Sequence, residues 1–136
     1  MQTIVKRIAI FLFACMFFTV SVCATTVANV EPRFAYINAL YSNLTIDNDG
    51  TASCDASISV NGPNYTINVT CKLQRITQNG IETVATWYRS SNGILNVYVS
   101  KSIESGYQYR FYISGEIIGS TGSVLETFSK SCYRYY

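Results

Sequence analysis

The chain has 136 residues, with ten Lys or Arg, eight Asp or Glu and no histidine. Lack of histidine removes the usual general base, the usual activator of a nucleophile and the commonest zinc ligand, which excludes most hydrolytic mechanisms. The formal net charge of +2 comes from Lys6 and Arg7 near the N-terminus; the rest is neutral overall and has no basic cluster to bind nucleic acid or an anionic membrane.

Lys6 and Arg7 precede an apolar run from Ile8 to Val20, which leads to Val22-Cys23-Ala24. That order is the pattern of a secretory signal peptide, with cleavage expected after Ala24. A membrane span takes about 20 apolar residues, so the run is short for an anchor and no stable span is expected once it is cleaved. Residues 1–24 are therefore read as a signal peptide and residues 25–136 as one exported domain, of a size that supports a single modest core.

The exported part holds all eleven tyrosines with many Thr, Ser, Val and Ile, a composition suited to half-buried strands and poor for helices. Runs at about Phe34–Ile46, Thr51–Val60, Tyr65–Ile76, Glu82–Arg89, Ile94–Ile103, Tyr107–Ile118 and Ser123–Lys130 read as strands, separated by DNDG, NGPN, QNG, SSNG, ESG and GSTG. The expectation is an all-β, two-sheet antiparallel sandwich of about seven strands.

On the second strand Cys54, Ala56, Ile58 and Val60 share one face; on the third Tyr65, Ile67, Val69, Cys71 and Leu73 do, while Thr66, Asn68, Thr70 and Lys72 point away. Cys54 and Cys71 lie at equal distances from the NGPN turn, both on core faces, whether their strands form a hairpin or face each other across two sheets. A Cys54–Cys71 disulfide is expected, stabilising by about 3 kcal/mol on the loop-entropy account. Cys132 is then a free thiol, an intermolecular link or an alternative partner.

Next, a three-residue loop at Gln78-Asn79-Gly80 is expected to set Trp87 beside Cys71 and Ala85 beside Leu73, with Trp87 as a large core side chain. In YQYRFYISGEI, Tyr107, Tyr109, Phe111, Ile113 and Ile117 read as core, and Gln108, Arg110, Tyr112, Ser114 and Glu116 as the outer face. Tyr107 is a candidate for a tyrosine corner, its hydroxyl bonding to an upstream backbone group.

The order LTIDNDGTASCDASISV, INVTCKLQR, the Gly80 to Trp87 segment and SGYQYRFYI resembles small exported proteins of Gram-positive bacteria with immunoglobulin-like β-sandwiches and no assigned activity. The resemblance covers most of the exported chain. It implies an immunoglobulin-like sandwich outside the cytoplasm and brings no catalytic residues. Antibody domains differ in carrying the second cysteine on the sixth strand and the tryptophan between the two cysteines.

No phosphate loop, nucleophile elbow or CxxC pair is present. DNDG lacks the later ligands of a calcium loop and reads as an Asx-rich turn. Three glycosylation sequons start at Asn43, Asn64 and Asn68. No cofactor or metal is expected. The resulting expectation is a non-enzymatic binding or structural module, secreted or held at the cell envelope, with a protein or glycan partner. The alternatives are an extracellular enzyme that works on carbohydrate with carboxylates alone, or a secreted toxin or inhibitor. Lys72, Arg110 and Tyr112, outward on neighbouring strands, form the expected recognition patch, which the C-terminal Tyr133-Arg134-Tyr135-Tyr136 can extend.

Overall fold

The computed structural model describes residues 34–136; the expected signal peptide and its cleavage site lie outside the described residues. Seven strands follow in order: β1 (Ile37–Ile46), β2 (Thr51–Val60), β3 (Thr66–Thr77), β4 (Gly80–Asn92), β5 (Ile94–Ser102), β6 (Gln108–Ile118) and β7 (Val124–Tyr135). They form a three-stranded sheet in the order β1-β2-β5 and a four-stranded sheet in the order β4-β3-β6-β7, with every pairing antiparallel. Among the described residues there is no helix long and apolar enough to cross a membrane.

Alternation on β2, β3 and β6 turns Cys54, Ala56, Ile58 and Val60 inward from one sheet, and Ile67, Val69, Cys71, Leu73, Tyr109, Phe111, Ile113 and Ile117 inward from the other. Leu44 and the alternate residues Leu95, Val97 and Val99 complete the inner surface of the three-stranded sheet. Among the described residues every fully buried residue of the core is hydrophobic, and the hydroxyl of buried Tyr109 is satisfied by Glu104 backbone, as a buried polar group requires.

Three local features differ from the sequence expectation. The β3–β4 turn is a two-residue Gln78-Asn79 loop, because Thr77 pairs with Gly80; a register shift beyond Gln74 then brings Cys71 opposite Trp87 and Leu73 opposite Ala85. The expected neighbours are reached by a tight turn plus a bulge. Trp87 faces inward but is only half-buried, since β4 is the edge of the wider sheet and overhangs the narrower one. Finally, the hydroxyl that ties back to upstream backbone belongs to Tyr109, which donates to the Glu104 carbonyl at 2.7 Å and accepts from the Glu104 amide at 3.2 Å. Tyr107 precedes β6 and lies instead under the Arg75 guanidinium, 4.7 Å from its ring centre.

The strand β7 also runs on past Lys130 to Tyr135. Glu126, Phe128, Lys130, Cys132 and Arg134 take the inward positions, opposite Ile117, Gly115, Ile113, Phe111 and Tyr109 of β6. Only Phe128 among them is buried. The charged members turn aside to the neighbouring edge strand: the Glu126 carboxylate accepts from the amides of Ala35 and Tyr36, Lys130 Nζ donates to the Leu40 carbonyl, and Arg134 Nε donates to the Leu44 carbonyl. Side chains thus satisfy backbone groups at the edge of β1 that would otherwise offer a template for another strand.

Gly115 makes this corner possible, because a Cβ there would stand 2.2 Å from the Asn68 carbonyl oxygen and 2.7 Å from the Phe128 ring. Gly115→Ala is therefore expected to destabilise the fold by about 1–3 kcal/mol through overpacking, measured by urea denaturation. Tyr109→Phe removes both hydrogen bonds to Glu104 and is expected to cost about 1 kcal/mol. An unchanged midpoint for this second variant would show that the tie contributes nothing.

Candidate functional site

The outer face of the four-stranded sheet is built by the same alternation that fills the core. On it Lys72 stands between Thr86 of β4 and Tyr112 of β6, and Gln74 stands between Thr83 and Arg110. Beyond Tyr112 and Arg110 come Ser131 and Tyr133 of β7. Lys72, Arg110 and Tyr112 are accordingly neighbours in two successive rows, all half-buried among each other's side chains. The guanidinium of Arg110 lies 4.4 Å from the Tyr112 ring centre, and its Nε donates to Ser131 Oγ at 3.1 Å.

Two further aromatic residues join this face. Tyr133 is 47% exposed and directly opposite Arg110, and Tyr88, 72% exposed, is opposite Thr70 at the β4 edge. Of the C-terminal tyrosines, Tyr133 and Tyr135 lie on β7, with Tyr135 opposite Gln108. Tyr133 was reachable from sequence by continuing the Ser129, Ser131 alternation, and Tyr88 by noting that an inward Trp87 forces its neighbour outward. Lys130 and Arg134 obscured the first signal, because they make β7 look polar on both sides.

Carboxylates gather elsewhere. Asp49 accepts from the Thr51 amide at 2.9 Å and caps the turn after β1, where Gly50 takes a positive φ of 83°. Arg75 binds Glu82 at 2.7 Å and Glu104 at 2.6 Å, which raises the pKa of the guanidinium, chiefly through the hydrogen bond to Glu82. These two acids thus meet at one cation, with Glu82 and Glu104 side chains 52% and 75% exposed. Among the described residues no group of three His, Cys, Asp or Glu is placed to hold a metal ion.

The three described cysteines are all inward and all free thiols. The expected Cys54–Cys71 bridge is therefore not formed in this structure. Equal spacing from the turn did bring both cysteines to the core, but on β2 and β3, which belong to different sheets. Facing sheets pack about 10 Å apart, whereas the Cα atoms of a disulfide lie about 4.4–6.8 Å apart. Cys132 occupies the β1–β7 seam between Lys130 and Arg134, its thiol donating to the Phe111 carbonyl at 4.0 Å; the buried hydroxyl of nearby Ser42 has no hydrogen-bond partner among the described residues.

Burial pushes the Cys54 thiol from its ordinary 9.0 up to about 12, with nearby Cys132 and then Cys71 adding to the effect. Burial likewise raises Cys71 to about 11, against a lowering influence from Arg89, and raises Cys132. A thiol with a raised folded-state pKa keeps its proton where the unfolded chain has lost it, so its contribution is complete below pH 9 and is lost as pH climbs toward 12. Reduced protein is thus expected to lose stability from about pH 9 upward, and Cys54→Ala with Cys71→Ala to flatten that decline in denaturation midpoints measured across the same range. Identical pH profiles for the two proteins would show that the thiols do not contribute. No protein-family model and no curated protein matches the chain, so the functional reading rests on the chemistry of its surface.

Proposed function

We propose that this protein is a secreted, non-enzymatic binding module with an immunoglobulin-like fold, acting at the cell envelope or in the medium through the outer face of its four-stranded sheet. The observation that carries this reading is the assembly of Lys72, Arg110, Tyr112 and Tyr133 on adjacent positions of three strands. Tyr and Arg are favoured at binding hot spots because they offer large contact area and forked donors.

The fold reading is supported by the strand order and by the Tyr109 tie at the corner between β5 and β6, the position of the tyrosine corner in immunoglobulin-like sandwiches. A constant-type antibody domain sets its fourth strand beside the fifth; here β4 pairs with β3. Export is supported by the basic, apolar and small-residue order of residues 1–24.

The mature protein recovered from culture medium is expected to begin at Thr25 by intact mass, and a retained Met1 would overturn the export reading. With a partner in hand, substitution of Lys72, Arg110 and Tyr112 together by alanine is expected to leave the melting temperature nearly unchanged and weaken binding at least about tenfold, or about 1.4 kcal/mol. Unchanged affinity in a folded variant would rule out this face.

A further inference from the structure

The outward positions of β3, β4, β6 and β7 carry two cations, Lys72 and Arg110, and one carboxylate, Glu116. Glu116 accepts from Asn68 Nδ2 at 3.3 Å and lies four residues along β6 from Tyr112. At about 3.4 Å per residue that is roughly 14 Å, more than the Debye length of about 8 Å at physiological salt. Among the described residues neither cation has an ion-pair partner. The middle of the face is therefore locally positive although the exported chain is neutral overall.

Arg110 is also held in place. Its guanidinium rests against the Tyr112 ring and Nε is engaged by Ser131, while Nη1 and Nη2 make no hydrogen bond among the described residues. A guanidinium fixed through one nitrogen with its two terminal nitrogens free is ready to fork an oxyanion, with less side-chain entropy left to lose on binding. The surroundings limit what bears that oxyanion. Thr86, Gln74, Thr83 and Ser131 supply hydroxyls and amides, and the rows of Lys72 and Gln74 have no aliphatic side chain at an outward position. Tyrosine rings with polar rims alternate here with hydroxyls, which suits a ligand rich in hydroxyl groups.

We propose that this face binds an acidic polysaccharide, with Arg110 forking a carboxylate or other oxyanion of the chain, Lys72 neutralising its neighbour, and Tyr112 and Tyr133 lying against sugar rings. The proposal rests on the reading that this face is the binding surface and adds the chemistry of the ligand.

The test is calorimetric titration of the mature protein with polygalacturonate, heparin, neutral dextran and poly-glutamate. Binding to polygalacturonate or heparin, absence of binding to dextran, and weaker binding at higher salt are expected. Arg110→Gln and Arg110→Lys should each weaken binding by about tenfold, the second because it keeps the charge and loses the fork, and Lys72→Gln by about threefold. Equal losses in Arg110→Lys and Lys72→Gln would overturn the fork. Binding to poly-glutamate as tight as to the acidic polysaccharides would overturn the sugar component. Dextran binding that falls in Tyr112→Ala would overturn the acidic ligand while keeping the face as the binding surface. No binding to any of the polysaccharides would overturn the proposal and leave the face open to a protein partner. Binding unchanged in folded Arg110→Gln, Lys72→Gln and Tyr112→Ala proteins would overturn both the proposal and the choice of this face. Thermal melts of each variant separate loss of fold from loss of binding.

Discussion

The pairing of β3 with β6 is the constraint from which both the core and the outer face follow. Leu73 against Phe111 and Cys71 against Ile113 place the centre of the four-stranded sheet's inner surface, and all four are fully buried. The interleaved pairs Lys72 with Tyr112 and Gln74 with Arg110 are set by the same register on the opposite side. A slip of one residue would send Phe111 to solvent and Arg110 into the core, so burial of the one face enforces the arrangement of the other. The outer face is precise because the inner one is expensive to misplace.

Unequal sheet width shapes the rest. Four strands over three leave the outer strands of the wider sheet without a full layer above them, and the two sides use this differently. On one side β7 fills its inward positions with Glu126, Lys130 and Arg134, which reach the backbone of residues at the β1 edge. Charged side chains in inward positions are one of the ways by which proteins keep a sheet edge from recruiting strands. On the other side β4 carries a bulge and half-buried Trp87, and the single bend at Gly93, with φ of 73°, carries the chain into β5 of the opposite sheet.

The cysteines and the cation face represent two kinds of chemistry separated by the thickness of one sheet. Thiols buried on the inner side are held protonated by desolvation, which makes them poor nucleophiles. Arg110 on the outer side is held by a ring and a hydroxyl with its terminal donors free. One sheet therefore carries protonated thiols on its inner side and a guanidinium with free donors on its outer side.

Strand number, the limits of β2, β3, β5 and β6 to within about one residue, and the inward or outward sense of β2, β3 and β6 were legible in the sequence, because a two-residue period of apolar side chains interrupted by Asn-Gly and Asp-Gly turns needs no distant information. Residues whose neighbours come from another sheet were not. The sequence placed Cys54 and Cys71 on core faces, but only the division into two sheets decided that they face each other across a layer instead of along a hairpin. It offered Tyr107 and Tyr109 on one face, and the corner before β6 decided that Tyr109 makes the tie. It ended the last strand at Lys130 and left Arg134 beyond it, and the neighbouring edge of β1, whose carbonyls both side chains bond, accompanies the continuation of β7 to Tyr135. Local alternation determines which way a side chain points, whereas what it meets there depends on sheet order and width, which arise from contacts far apart along the chain.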